Sequence, residues 1–143
     1  MKYLGIIIST LAAITWGFVY ANTEKVLEKM SPISSVALFY YLGAIILLPF
    51  LLSHRQDMIQ GALLAPKELI FTTVMILLAE FFIMWSISLL GGTEAALIEV
   101  SYPIWTAIFL YFLSGKEISF NTFIGGIFIF TGVIFISLAE NSK

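Results

Sequence analysis

The chain has 143 residues, of which 60% are hydrophobic and only 11% charged, and its net charge is −2. Soluble domains run at about 45–50% apolar and about 25% charged, and a chain this short buries only one small core in water, so its solvent is lipid. The near-neutral balance excludes a nucleic-acid surface, and the absence of cysteine excludes disulfides, thiolate metal sites and cysteine nucleophiles. With one histidine, His54, in a polar stretch, neither a metal site, a cofactor nor enzyme chemistry is expected.

A spanning helix needs about 20 mostly apolar residues. Five runs qualify, at residues 3–22, 33–53, 68–90, 93–113 and 121–139. They predict an all-α membrane protein, a five-transmembrane-helix bundle forming one integral membrane domain over residues 1–143. An odd number of spans puts the termini on opposite sides of the bilayer.

The first run carries Gly5, Ser9, Ala12 and Trp16 at helical spacing, a small-residue stripe suited to close helix contact. An alternative reading of this run is a signal peptide, with Lys2 before it and Val19-Tyr20-Ala21 as the cleavage site. The run is longer than a signal core of about 7–15 residues, which favours a span. Asn22 to Lys29 is polar and reads as a solvated helix end. Ser31-Pro32 then predicts a helix start, serine as cap and proline in the first turn. The second run holds Tyr40 and Tyr41 near its middle and Pro49 near its end, where a kink is expected.

Residues 54–67 read as the one substantial loop, with Pro66 restarting a helix. The third run contains Glu80, deep among leucines and phenylalanines, followed by Trp85. Gly91-Gly92 reads as a helix stop and Thr93 as the cap of the fourth run. That run contains Glu94, Glu99, Tyr102, Pro103 and Trp105, and Pro103 predicts a helix kink. A turn at Ser114-Gly115-Lys116-Glu117 leads to the last run, where Gly125, Gly126 and Gly132 suggest a helix or dimer contact.

Lysine and arginine counts give almost no orientation. Lys2, Arg55, Lys67 and Lys116 fall on one side, Lys25, Lys29 and Lys143 on the other. The rule that positive charge stays in the cytoplasm leans only slightly towards a cytoplasmic N-terminus. The sharper reading is that both orientations are inserted and that two copies pair antiparallel.

Intramembrane carboxylates are rare and mark ion or substrate paths. None of the five runs holds a Lys or Arg to neutralise Glu80 or Glu99, so a proton, water or a cationic group of a substrate must serve. Glu94 sits in a first helical turn and Glu117 in a turn, and both read as structural. Glu80, Glu99, Tyr102, Trp105, Trp16, Tyr40 and Trp85 are the candidates for a substrate and proton pathway.

The segment Ala95-Ala96-Leu97-Ile98 … Pro103, then Ser114-Gly115-Lys116-Glu117, then Ile124-Gly125-Gly126 through Thr131-Gly132-Val133 resembles the closing part of an EamA repeat. That is the repeat of the drug/metabolite transporter superfamily. Leu11 to Gly17, with its Trp-Gly, is similar to the repeat's opening helix. The resemblance covers the whole chain as a single repeat, where the family usually carries two, inverted around a central cavity. It implies an antiparallel homodimer or a hetero-partner half-transporter. The last span also resembles the dimer-forming helix of small multidrug resistance proteins, but their first-span glutamate has no counterpart here. The second span departs as well, with Phe39-Tyr40-Tyr41 where the repeat often has an arginine.

The expected function is secondary transport, as an exporter, of a small metabolite or cationic compound, proton-coupled, across a prokaryotic inner membrane. The alternatives are flipping of a lipid-linked sugar or other amphiphile, and a non-transporting assembly subunit. Lipid bilayer, a small-molecule substrate and a second half-transporter are the expected partners.

Overall fold

The structure, a computed structural model, describes residues 2–140, all of them in helices or short connections. Seven helices follow in order: α1 (Lys2–Leu27), α2 (Pro32–Ser53), α3 (Arg55–Leu64), α4 (Pro66–Leu90), α5 (Gly92–Glu99), α6 (Tyr102–Ser114) and α7 (Phe120–Glu140). The all-α membrane class is therefore as expected. Among the described residues, four stretches are long and apolar enough to cross a membrane: Tyr3–Leu27, Pro32–Ser53, Pro66–Leu90 and Gly92–Ser114. The last of these is α5 and α6 together. The apolar stretch described within α7, Phe120–Phe135, is shorter, although α7 itself has 21 residues and is about 31 Å long at 1.5 Å per residue. Lys143, counted above for orientation, lies outside the described residues.

Local chemistry explains where the helices begin and end. Ser31 caps α2 as expected: its backbone is extended (φ −68°, ψ 153°) and its hydroxyl accepts from Ser34 N at 3.3 Å. Pro49 stays inside α2 without ending it. α1 runs on to Leu27, without interruption at Val19-Tyr20-Ala21. Its polar end is mostly exposed, but Thr23 within it is buried.

Three expectations need correction. Residues 54–67 are not a loop, because α3 occupies 55–64. Gly91, not Thr93, caps the fourth run; it adopts φ 87°, open to glycine but not to β-branched residues, and α5 starts at Gly92 with Thr93 already helical. The Pro103 kink is a full interruption, and it falls at Val100–Ser101, before the proline rather than at it.

That displacement follows from proline's covalent structure. Pro103 has no N–H for the carbonyl four residues back, that of Glu99, and its ring crowds that carbonyl. The ladder is rerouted: Val100 N donates to Ala96 O at 3.1 Å, Ser101 N to Ile98 O at 3.1 Å, and Ile104 N to Ser101 O at 3.1 Å. Downstream, Gly115 ends α6 in the left-handed conformation (φ 63°), its N–H donating to Tyr111 O at 3.0 Å, as helix C-terminal glycines do.

The chain divides into two compact units, Met1–Tyr20 with Leu90–Lys143, and Ala21–Leu89. In the first, α5 and α6 both pack on α7, and Ala95 is buried. The α6–α7 contact runs through Gly126, where an added Cβ would stand 3.2 Å from Ile104 Cγ1. In the second unit, α2 adjoins α3, and Ser35, Val36, Met84 and Ile87 are buried. Most other large apolar side chains are exposed, the arrangement of a chain whose solvent is lipid.

Candidate functional site

Polar side chains in a span are costly unless the helix itself satisfies them. Most of them are satisfied in this way. The hydroxyls of Thr10, Thr15, Thr73, Thr106 and Thr131 each donate to the carbonyl four residues earlier, at 2.8–3.0 Å. Ser88 donates to Trp85 O at 2.7 Å. Ser88, on the same side of α4 as Glu80, and Thr106, in α6 beyond the break that follows Glu99, are thereby occupied within their own helices. Glu80 and Glu99 differ: among the described residues neither has a hydrogen-bond or ion-pair partner.

In the first unit, Glu99 ends α5 beside the break, and Tyr102 begins α6 just after it. Both line a cavity of ≈ 510 Å³, together with Ala13, Trp16, Gly17 and Tyr20 of α1 and Ala96 and Val100. Its size lies within the range of small-molecule pockets, about 300–1,000 Å³. Trp16 and Tyr20 stand one helical turn apart with ring centroids at 6.3 Å, tilted at 56°, and Tyr20 is buried at 7% exposure. The residues therefore offer one carboxylate and three aromatic rings, with small side chains at Ala13, Gly17 and Ala96 leaving the space. No basic side chain lines the cavity.

The structure thus brings together Trp16, Glu99 and Tyr102 of the expected pathway residues. Trp105, on the same helix as Tyr102, does not line the cavity and is half exposed. Tyr20 was missed; it stood in the sequence as part of a possible cleavage site, yet its spacing of four from Trp16 is that of an aromatic pair on one helix face.

Glu80, Tyr40 and Trp85 belong to the second unit. Glu80 is half-buried and opens the stripe of α4 that continues through Met84 and Ile87, at 3% and 4% exposure. Tyr40 of α2 lies within electrostatic reach of it. Trp85 is turned the other way, half exposed, and packs edge-on against Phe81 at 5.5 Å. Glu94 lies in the first turn of α5, where a carboxylate favours the helix dipole.

The three glycines of the last helix separate into two faces. Gly126 meets α6 within the chain, whereas a Cβ at Gly125 or Gly132 would meet nothing within 4 Å. Gly126, Ile129 and Val133 form the half-covered side of α7, and Asn121, Gly125, Phe128 and Gly132 an exposed one. In α1, a Cβ at Gly5 or Gly17 would likewise meet nothing within 4 Å. Between α6 and α7 runs a further, mostly apolar cleft of ≈ 390 Å³, bordered by Pro103, Ile104, Thr122, Phe123, Gly125 and Gly126 among others, so that Gly125 stands at its edge.

Compared with known proteins, the profile of the EamA-like transporter family matches residues 3–138, taking in the first span, both halves of the interrupted span and nearly all of α7. No curated protein and no solved structure gives a match.

Proposed function

We propose that this chain, which belongs to the EamA-like transporter family, works as half of a secondary transporter. Family and helices make it a multi-pass integral membrane protein of transporter type. The finer reading is that two copies, inserted in opposite orientations in a prokaryotic inner membrane, export a small metabolite or cationic compound by alternating access and proton exchange. The family match spans the chain once, and inverted repeats are a common basis of such transporters. α7, about 31 Å long, is long enough for a hydrocarbon core of about 30 Å, and a fifth crossing makes the chain asymmetric about the bilayer as an inverted half must be. The exposed Gly125–Gly132 side of α7 is the surface assigned to the second copy.

One observation carries the reading: Glu99 stands without a partner at a break in a span, beside a cavity walled by Trp16, Tyr20 and Tyr102. Aromatic faces attract cations, and an unpaired carboxylate holds either a proton or a cationic group. Competition between the two at one residue couples substrate movement to proton movement. Glu80, with Tyr40 nearby, supplies a second carboxylate of the same kind.

The test is flux in proteoliposomes under an imposed proton gradient. Glu99→Gln abolishes gradient-driven flux in this reading, and Glu80→Gln reduces it. Unchanged flux in the double variant removes both carboxylates from the mechanism. Paired cytoplasmic and periplasmic reporters at the C-terminus test orientation: signal from both supports the antiparallel pair, and signal from one side points to a different partner chain.

A second reading, flipping of an amphiphile such as a lipid-linked sugar, is favoured by the apolar cleft between α6 and α7. It requires that a labelled lipid-linked sugar change leaflets in the same vesicles, with no dependence on the proton gradient.

A further inference from the structure

We propose that α3 is an interfacial helix lying along the bilayer surface, with Met58, Ile59 and Leu63 sunk into the headgroup–acyl boundary and Asp57 and Gln60 turned to water. The helix is tied to its neighbours by single residues, His54 to α2 and Ala65 to α4, and both neighbours are long and apolar enough to cross a membrane. Each end of α3 is therefore held within one residue of a span's end. Ten residues reach about 15 Å, and no slack remains to lift the helix off the surface.

Both corners are fixed by hydrogen bonds. At the first, His54 N donates to Phe50 O at 3.0 Å, Met58 N donates to His54 O at 3.1 Å, and Ser53 Oγ donates to Phe50 O at 3.0 Å. At the second, Ala65 N donates to Gly61 O at 3.2 Å and Leu69 N to Ala65 O at 3.0 Å. The segment leaves one span and enters the next in a set direction, unlike a free loop.

At 3.6 residues per turn, Met58, Ile59, Ala62 and Leu63 share one arc of about 140°, Gln56 lies at its edge beside Leu63, and Gln60 and Asp57 occupy the opposite side together with the terminal Leu64. The large side chains of the apolar arc are uncovered among the described residues: Ile59 is 53% exposed and Leu63 76%. The exposed apolar surfaces of α2 and α4 continue directly into it, through Leu52 before the first corner and Leu69 and Ile70 after the second. Lipid that covers those surfaces covers this arc as well. Arg55 also falls within the arc, at its N-terminal end. Its aliphatic stem lies along the apolar side and its guanidinium reaches the phosphates, as arginines at an interface do. With Arg55 balanced by Asp57, apolar contact rather than net charge holds the helix down, the part of interfacial binding that scales with buried apolar area.

The chain contains no cysteine, so the test needs only single substitutions in the full-length protein. Ile59→Cys, Leu63→Cys, Asp57→Cys and Gln60→Cys, each carrying a nitroxide label in liposomes, are compared for collision with oxygen and with a water-soluble nickel chelate. A severalfold higher oxygen-to-nickel ratio at 59 and 63 than at 57 and 60 is expected, equally in zwitterionic and anionic vesicles. Equal ratios at all four positions, or the reverse order, overturn the proposal. A pattern that forms only with anionic lipid also overturns it, since Arg55 would then be the anchor. The four positions are exposed, and the experiment reads no transport, so its outcome is independent of the functional reading above.

Discussion

Two neighbouring glycines in α7 should respond to the same substitution in opposite ways. Gly→Ala in an open helix position stabilises by about 0.5–1 kcal/mol, because alanine loses less backbone freedom. Gly125 and Gly132 are open, so each alanine variant gains about this amount in the monomer. At Gly126 the new Cβ would stand 3.2 Å from Ile104 Cγ1, closer than side-chain carbons normally pack, and the gain is offset by the shift this forces on Ile104. Leucine sharpens the contrast. Overpacking a filled contact costs about 1–3 kcal/mol, so Gly126→Leu should unfold several degrees lower than the parent. Gly125→Leu and Gly132→Leu should raise the monomer's unfolding temperature slightly, as alanine does, and weaken association of two copies. Thermal unfolding in detergent followed by circular dichroism gives the first quantity, and cross-linking yield in liposomes the second. If Gly126→Leu melts with the parent, α6 and α7 do not meet at Ile104. If Gly125→Leu and Gly132→Leu cross-link as well as the parent, the second copy binds elsewhere.

Other predictions follow from single interactions. Ser31→Ala removes the α2 cap and should cost about 1 kcal/mol, read as a lower unfolding temperature; no change would mean that the 3.3 Å contact to Ser34 N carries nothing. Pro103→Ala restores an N–H that Glu99 O can accept, so α5 and α6 should fuse, the fold gaining about 1 kcal/mol while flux falls; undiminished flux would separate the break from transport. Tyr20→Ala, at a position buried beside Trp16, should alter Trp16 fluorescence and lower substrate affinity, whereas Trp105→Phe should leave affinity unchanged. A membrane-impermeant maleimide on Gln60→Cys should label about half of the copies in intact cells if both orientations are inserted equally, and all or none if only one is.

The spans were legible because twenty apolar residues in a row admit few other readings, and Ser31-Pro32 marked a helix start by chemistry local to it. α3 was not legible: Arg55, Gln56, Asp57 and Gln60 dilute its apolar residues below any run, and it becomes a helix because two spans pin its ends. Pro103 announced a disruption, but its position depended on which carbonyl loses its donor, and that places the break around Val100. Glu99 and Tyr102 were visible as odd residues on one helix. That Trp16 and Tyr20 line one cavity with them depends on where α1 and α5 lie in space, which spacing along one helix does not report. The glycines of α7 were read as one surface because sequence gives their angles around the helix and not what stands opposite each.

The rerouted hydrogen bonds at Val100–Ser101 have one more consequence. Glu99 ends a helix of eight residues, so its carbonyl lies about 12 Å along the interrupted span. Pro103 has no N–H to offer that oxygen, and the donors around the break are directed to Ala96, Ile98 and Ser101. The same residue carries an unpartnered carboxyl side chain. Acyl chains provide no donor for either group, and exposing such groups to them costs several kcal/mol each. One side of this span is therefore barred to lipid, whichever way up the chain is inserted. Like a compass needle, it turns the break and the Glu99 carboxyl towards protein and water in whichever orientation the chain takes.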